Sequence, residues 1–181
     1  MNIISNFVLF QIGWFACVLC AAKGYPWLGV WASIIIMLIY VSVNTRKKQA
    51  LELLAYALLT GLVFDAIPVY LGWVDFPAMP YWSTALAPAW MLVLWGNLAT
   101  TLNSSLGWLQ NKPLLAASFG LIGGPLAYIA GQKLGAFNIL QFNKMTIYLA
   151  VGWGLAMPML FYLSNRKMSS KDSMFTESGI A

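Results

Sequence analysis

A single carboxylate, Asp65, lies inside an apolar stretch from Leu51 to Leu71 that is long enough to cross a bilayer. Ionisable groups at membrane depth are costly and tend to mark function. About 9 Å below the end of that span, Asp65 could relay protons or hold a cationic group from within a cavity. The structural alternative is a hydrogen-bonded strut between helices, with the indole of Trp90 as the expected donor at a similar depth. Glu52, the other acid within a span, stands four residues after Lys48 in the first turn of its helix, where local electrostatics account for it.

Polar residues recur at helical spacing in the fourth apolar segment. Asn97, Thr101 and Ser104 form a stripe, with Thr100 adjoining and Trp90 and Trp108 extending the face. Such a stripe must face protein or water, either as interhelical hydrogen bonds or as the lining of a pathway. Gln11 in the first segment lies at the depth of Asn97, so the two amides are expected to pair, with Trp14 one turn further along. In the fifth segment, Ala116, Gly120 and Gly124 form one ridge of small residues, and Gly123, Ala127 and Gly131 a second, as close helix packing requires. Gly124-Pro125 removes a backbone donor and predicts a break that frees carbonyls near Asp65. Together Asp65, Gln11, Trp14, Trp90, Asn97, Thr101, Gly124 and Pro125 are the candidate substrate or ion-binding residues of an outer-half cavity.

Several chemistries are excluded by composition. The chain of 181 residues has no histidine, two cysteines and five acids, so no ligand set for a structural metal and no Ser-His-Asp or Cys-His machinery can be assembled. Asp75 is too far along the chain from Asp65 to make an aspartyl dyad. Cys17 and Cys20 share one apolar helix and read as packing residues. No phosphate loop or other cofactor motif is visible, and no catalytic residue can be named.

These residues are positioned by an integral membrane framework. The chain is 61% hydrophobic and 8% charged, and its charges are gathered into short segments between apolar runs. Six runs can be marked: Ile3 to Ala22, Trp27 to Val43, Leu51 to Leu71, Leu86 to Leu106, Leu114 to Gly131 and Met145 to Leu163. Lipid offers no partner for open backbone groups, so each is predicted to be a helix. The expectation is an all-α bundle of about six transmembrane helices forming one domain over residues 1–165, followed by a polar, disordered tail over 166–181. Seven basic residues (Arg46, Lys47, Lys48, Lys112, Arg166, Lys167, Lys171) fall in alternate loops and the tail, against Lys23, Lys133 and Lys144 on the other side. The positive-inside rule then places both termini in the cytoplasm. The net charge of +5 is thereby a topology signal, and nucleic acid is discarded as a partner. The loop from Gly72 to Thr84, with its prolines and aromatic rings, reads as an interfacial cap that could also roof a cavity.

Three stretches, Phe10 to Val18 (FQIGWFACV), Pro88 to Leu109 (PAWMLVLWGNLATTLNSSLGWL) and Gly123 to Ala136 (GGPLAYIAGQKLGA), resemble a domain-of-unknown-function family of small bacterial multi-pass inner-membrane proteins. The resemblance implies a compact bundle filling the chain and brings no catalytic residues. A histidine frequent in the family at the position of Ser104 is missing here. Members encoded near enzymes that modify membrane fatty acids imply a link to envelope lipid homeostasis. Three functions are therefore expected in order: a small permease or lipid-handling accessory with membrane lipid as partner, an assembly subunit or homo-oligomer docking through its glycine faces, and, last, a lipid-modifying enzyme using Asp65 alone.

Overall fold

Proline and glycine set the punctuation of the chain. Pro26 opens α2 (Pro26–Val43) and Pro113 opens α5 (Pro113–Lys133), each in the first turn, where a missing N–H costs nothing. α1 (Ile3–Ala22), α3 (Lys47–Tyr70) and α5 end alike. Gly24, Gly72 and Gly135 have φ of 80, 65 and 84°. The amides that follow them bond back to Cys20, Pro68 and Gly131, the Schellman closure that favours glycine. α4 (Ala89–Leu102) and α6 (Phe142–Ser169) complete the helices. The computed structural model describes residues 2–169, with side chains as far as Asn165. α6 thus continues through Ser169, and the rest of the expected tail lies outside the described residues.

Among the described residues, five helices are long and apolar enough to cross a membrane, and the chain is a multi-pass membrane protein. The fourth expected span is the exception. It begins at Ala89, after the extended Pro88, and stops at Leu102, and its 14 residues rise only about 21 Å against roughly 30 Å of hydrocarbon. Eleven of those residues are buried. α4 is the axis of the bundle, packed by α1, α2, α3 and α6, so protein rather than lipid surrounds it.

The remaining helices pair as hairpins. α1 lies against α2, where a side chain on Gly29 would overlap the backbone of Cys17. Cys17 is fully buried and unpaired, and Ser33 Oγ lies 3.2 Å from its sulfur. α5 lies against α6 over the first glycine ridge, where a side chain on Gly120 would meet the Trp153 carbonyl and one on Gly124 the Trp153 indole. α5 is continuous through Gly124 and Pro125, so the predicted break is absent. The glycine there seats a tryptophan.

The loops at one end are tied together. β1 (Val74–Asp75), in the α3–α4 loop, pairs antiparallel with β2 (Asn138–Ile139), in the α5–α6 loop. The Trp73 carbonyl accepts from the amides of Leu140 (2.8 Å) and Gln141 (3.2 Å). Trp27 Nε1, at the start of α2, donates to the Pro80 carbonyl at 3.0 Å. All three hairpin connections therefore meet at this clasp end.

At the opposite end the first helix is fastened to the end of α4. Asn6, fully buried, donates to the Thr100 carbonyl at 3.1 Å and accepts from the Ser105 amide (3.1 Å) and hydroxyl (2.6 Å). Asn103 Oδ1 accepts from Gln110 Nε2 at 2.7 Å and from Ser164 Oγ. The two clusters make the six helices alternate in direction.

Candidate functional site

Asp65 sits on α3 with 2% of its surface exposed. Its Oδ2 accepts from Trp95 Nε1 on α4 at 2.8 Å, and its Oδ1 accepts from the Tyr128 hydroxyl on α5. The donor is therefore Trp95 and not the expected Trp90. α3 and α5 are not packed neighbours, so the Asp65–Tyr128 bond spans a gap that apolar contact leaves open.

The proline that matters locally is Pro68. Its missing N–H leaves the Phe64 carbonyl, four residues earlier, without a helical partner. Tyr148 of α6 donates its hydroxyl to that carbonyl at 2.7 Å. Three elements thus converge on one turn of α3: α4 and α5 through the carboxyl, α6 through the backbone. Aromatic rings enclose the turn. Trp95 stacks on Trp153 with centroids 4.3 Å apart and planes 10° apart, and Phe64 packs edge-on to both and tilted against Tyr148. Gly61 and Gly152 leave space for this cluster, because a side chain at either would overlap Trp95 or Phe64 respectively.

The front of the same cluster is a groove. α1 and α5 do not pack together, and the gap between them is floored by α4 and closed on one side by α6, giving a cavity of about 200 Å³. Phe10 and Trp14 form one wall, Trp90 and Trp95 the floor, and Tyr128 and Trp153 the far wall. Along α5 the lining runs from Phe119 to Gly131, a rise of about 18 Å, so the groove is not confined to one half of the bundle. Gly123 lowers its rim: a side chain there would meet no atom within 4 Å.

The candidate residues separate around this groove. Trp14, Trp90 and Gly124 line it. Asp65 lies one side chain behind it, screened by Trp95 and Tyr128. Asn97 donates to the Phe10 carbonyl at 2.9 Å in place of the expected bond to Gln11, and its side chain lies against Gly13. Thr100 and Thr101 return their hydroxyls to carbonyls of their own helix, at 2.7 and 2.6 Å. Asn97 Nδ2 and the two threonine hydroxyls of the stripe are thus bonded internally, while Asn97 Oδ1 is buried without a hydrogen-bond partner. Gln11, Thr101 and Pro125 are not among the groove's lining residues.

Sequence reasoning did not single out Trp95, Tyr128, Trp153 or Asn6. Tyr128 carried a signal: it follows Gly124 by one turn on the packed face of α5, and a tyrosine hydroxyl held away from water needs a partner. Trp153 Nε1 is buried without a hydrogen-bond partner among the described residues. The arrangement can hold hydrocarbon in front and a hydrogen-bonded carboxyl behind.

The chain belongs to the family described as "Protein of unknown function (DUF2878)", which it matches over residues 3–159. No curated protein and no solved structure gives a match.

Proposed function

We propose that this protein is a lipid-handling component of the bacterial inner membrane, with both termini cytoplasmic, and that its lateral groove takes the acyl chain of a membrane lipid. The observation that carries this reading is the groove itself. Its walls are aromatic and aliphatic, it runs along the helices, and the gap between α1 and α5 opens it sideways. Inside a bilayer an acyl chain can enter such a gap from the side without crossing a polar barrier, and van der Waals packing against the walls, not escape from water, would hold it there. Orientation is supported by the basic residues: Arg46, Lys47, Lys48 and Lys112 stand at the end away from the clasp, the side on which α6 also finishes.

A permease for polar solutes finds less support, because among the described residues no ionisable group other than Tyr128 lines the groove and Asp65 is screened from it. Docking of a partner helix is narrowed to the same groove. Trp153 already fills the Gly120 and Gly124 positions, while Gly123 faces open space.

The test is photolabelling in nanodiscs by a phospholipid with a diazirine on its acyl chain. Labelled peptides should contain Trp14, Gly123 and Ala127, and Gly123→Trp should fill the groove and remove that label while the protein unfolds at the wild-type midpoint. Labelling spread evenly over the lipid-facing surface, or a pattern unchanged in Gly123→Trp, would refute the reading.

A further inference from the structure

The loop between α3 and α4 encloses a second cavity, of about 370 Å³, beneath the clasp. Its roof is a constructed one. The β1–β2 pairing, the bonds to the Trp73 carbonyl and the bond from Trp82 Nε1 to the Ala87 carbonyl at 2.9 Å hold the loop at several points. Its character differs from that of the groove, because the Asp75 carboxylate and the hydroxyl-bearing Ser83 and Thr84 line it beside Phe76 and Leu140. Among the described residues, Asp75 is the only charged one in the lining. Ser83 Oγ accepts from the Ala85 amide at 3.2 Å, which leaves its hydroxyl proton to donate.

The two cavities share a partition one ring thick. Phe76 lines the loop cavity and packs against Trp90 and Phe137, at centroid distances of 5.9 and 5.0 Å, and both of those rings line the groove. A cavity of mixed lining, with one carboxylate and two hydroxyls among apolar residues, therefore sits next to an apolar channel, at the membrane end where headgroups lie.

We infer that the loop cavity is the headgroup compartment for the lipid whose chain occupies the groove, and that it selects a headgroup ending in an ammonium group. This rests on the acyl-chain reading of the groove. The carboxylate of Asp75 accepts from the ammonium, and the Ser83 and Thr84 hydroxyls donate to the phosphate ester oxygens. Phe76 is the ring that separates head from chain. An anionic headgroup without an ammonium has no cation to meet here and is repelled by Asp75.

The experiment is native mass spectrometry of the full chain released from nanodiscs of equal phosphatidylethanolamine and phosphatidylglycerol, with groove photolabelling run in parallel. Wild type should retain phosphatidylethanolamine over phosphatidylglycerol by about tenfold, the size of one charge-assisted hydrogen bond, and Asp75→Asn should bring the ratio close to one. Asp75 is exposed and joins the clasp through its backbone. If Asp75→Asn does not fold, Thr84→Val serves in its place and should lower the ratio. A wild-type ratio near one with the groove labelled overturns the headgroup assignment and leaves the acyl-chain reading standing. An unlabelled groove overturns both. If free ethanolamine, at millimolar concentration, is retained by the wild type in the same spectra as fully as the lipid is, the cavity is a site for soluble amines and the inference fails.

Discussion

Cutting the bond between Asp65 and Tyr128 should cost more than most interhelical hydrogen bonds in membranes. Such bonds average about 0.6 kcal/mol because the unfolded chain in lipid finds other partners. Here both oxygens of a carboxyl with 2% exposure are engaged, by donors from two different helices. Tyr128→Phe removes one donor and leaves Trp95 bonded, for an expected loss of about 1.5–3 kcal/mol. Asp65→Ala strands both the Trp95 N–H and the Tyr128 O–H, at about 1–3 kcal/mol each, so a loss of about 2–6 kcal/mol is expected. In the double variant the tyrosine hydroxyl is no longer there to be stranded. The two losses should therefore not add, and the cycle should show a coupling of about 1–3 kcal/mol. Asp65→Asn, which keeps an acceptor for Trp95 and offers its amide to the Tyr128 oxygen, should be the mildest of the set. Equilibrium unfolding in mixed micelles measures all four. Additive losses, or an Asp65→Ala loss below about 0.5 kcal/mol, would refute the strut, because a buried acceptor with two stranded donors cannot be that cheap to remove.

Two further outcomes follow from packing. Gly124→Leu drives a side chain into the Trp153 ring and should destabilise the α5–α6 hairpin by about 1–3 kcal/mol or more, read as a lowered unfolding midpoint, whereas Gly123→Leu, one residue away and facing open space, should leave that midpoint unchanged. Asn6→Ala removes the acceptor for the Ser105 amide and hydroxyl. It should cost about 1–3 kcal/mol and raise hydrogen exchange at residues 103–106, and unchanged exchange there would show that α1 is not fastened through Asn6.

The helices that meet lipid were legible in the sequence because lipid imposes a length and a composition on them. α4 was legible as a helix but not in its bounds, because protein packs most of its surface and leaves it free to be short. That single difference explains the wrong donor for Asp65. Asp65 lies five residues before the end of α3 at Tyr70, and the matching depth on an antiparallel neighbour is about five residues in, or roughly 7.5 Å. Counted from a helix starting at Leu86, the nearest indole is Trp90. Counted from the true start at Ala89, it is Trp95. The first ridge of small residues is a packing face as expected, whereas Gly123, Ala127 and Gly131 of the second line the groove; composition could not say what fills the first, since a glycine that admits a backbone and one that admits an indole look alike. Gly124-Pro125 was over-read for a related reason. Proline removes one helical bond without ending a helix whose neighbours hold it, and the carbonyl that needed an outside donor was Phe64, made so by Pro68.

The strut and the groove are mechanically one object. α5 is held by α6 along its glycine ridge, by α3 through the Tyr128 hydroxyl and by Trp108 against Phe119, and it is not a principal packing neighbour of α1. The bond to Asp65 ties the middle turns of α5 to α3, the β1–β2 pairing ties the helix ends, and the groove is the cavity that lies beside those middle turns. Tyr128 and Trp95 serve both structures at once, as donors to the carboxyl behind and as wall in front. A residue outside the groove lining is therefore expected to influence the groove through Tyr128 and Trp95. Variants at Asp65 that still fold should alter acyl labelling at Gly123 and Ala127 before they alter anything at the clasp, because the β1–β2 pairing and the Trp27 anchor do not pass through α5's middle turns.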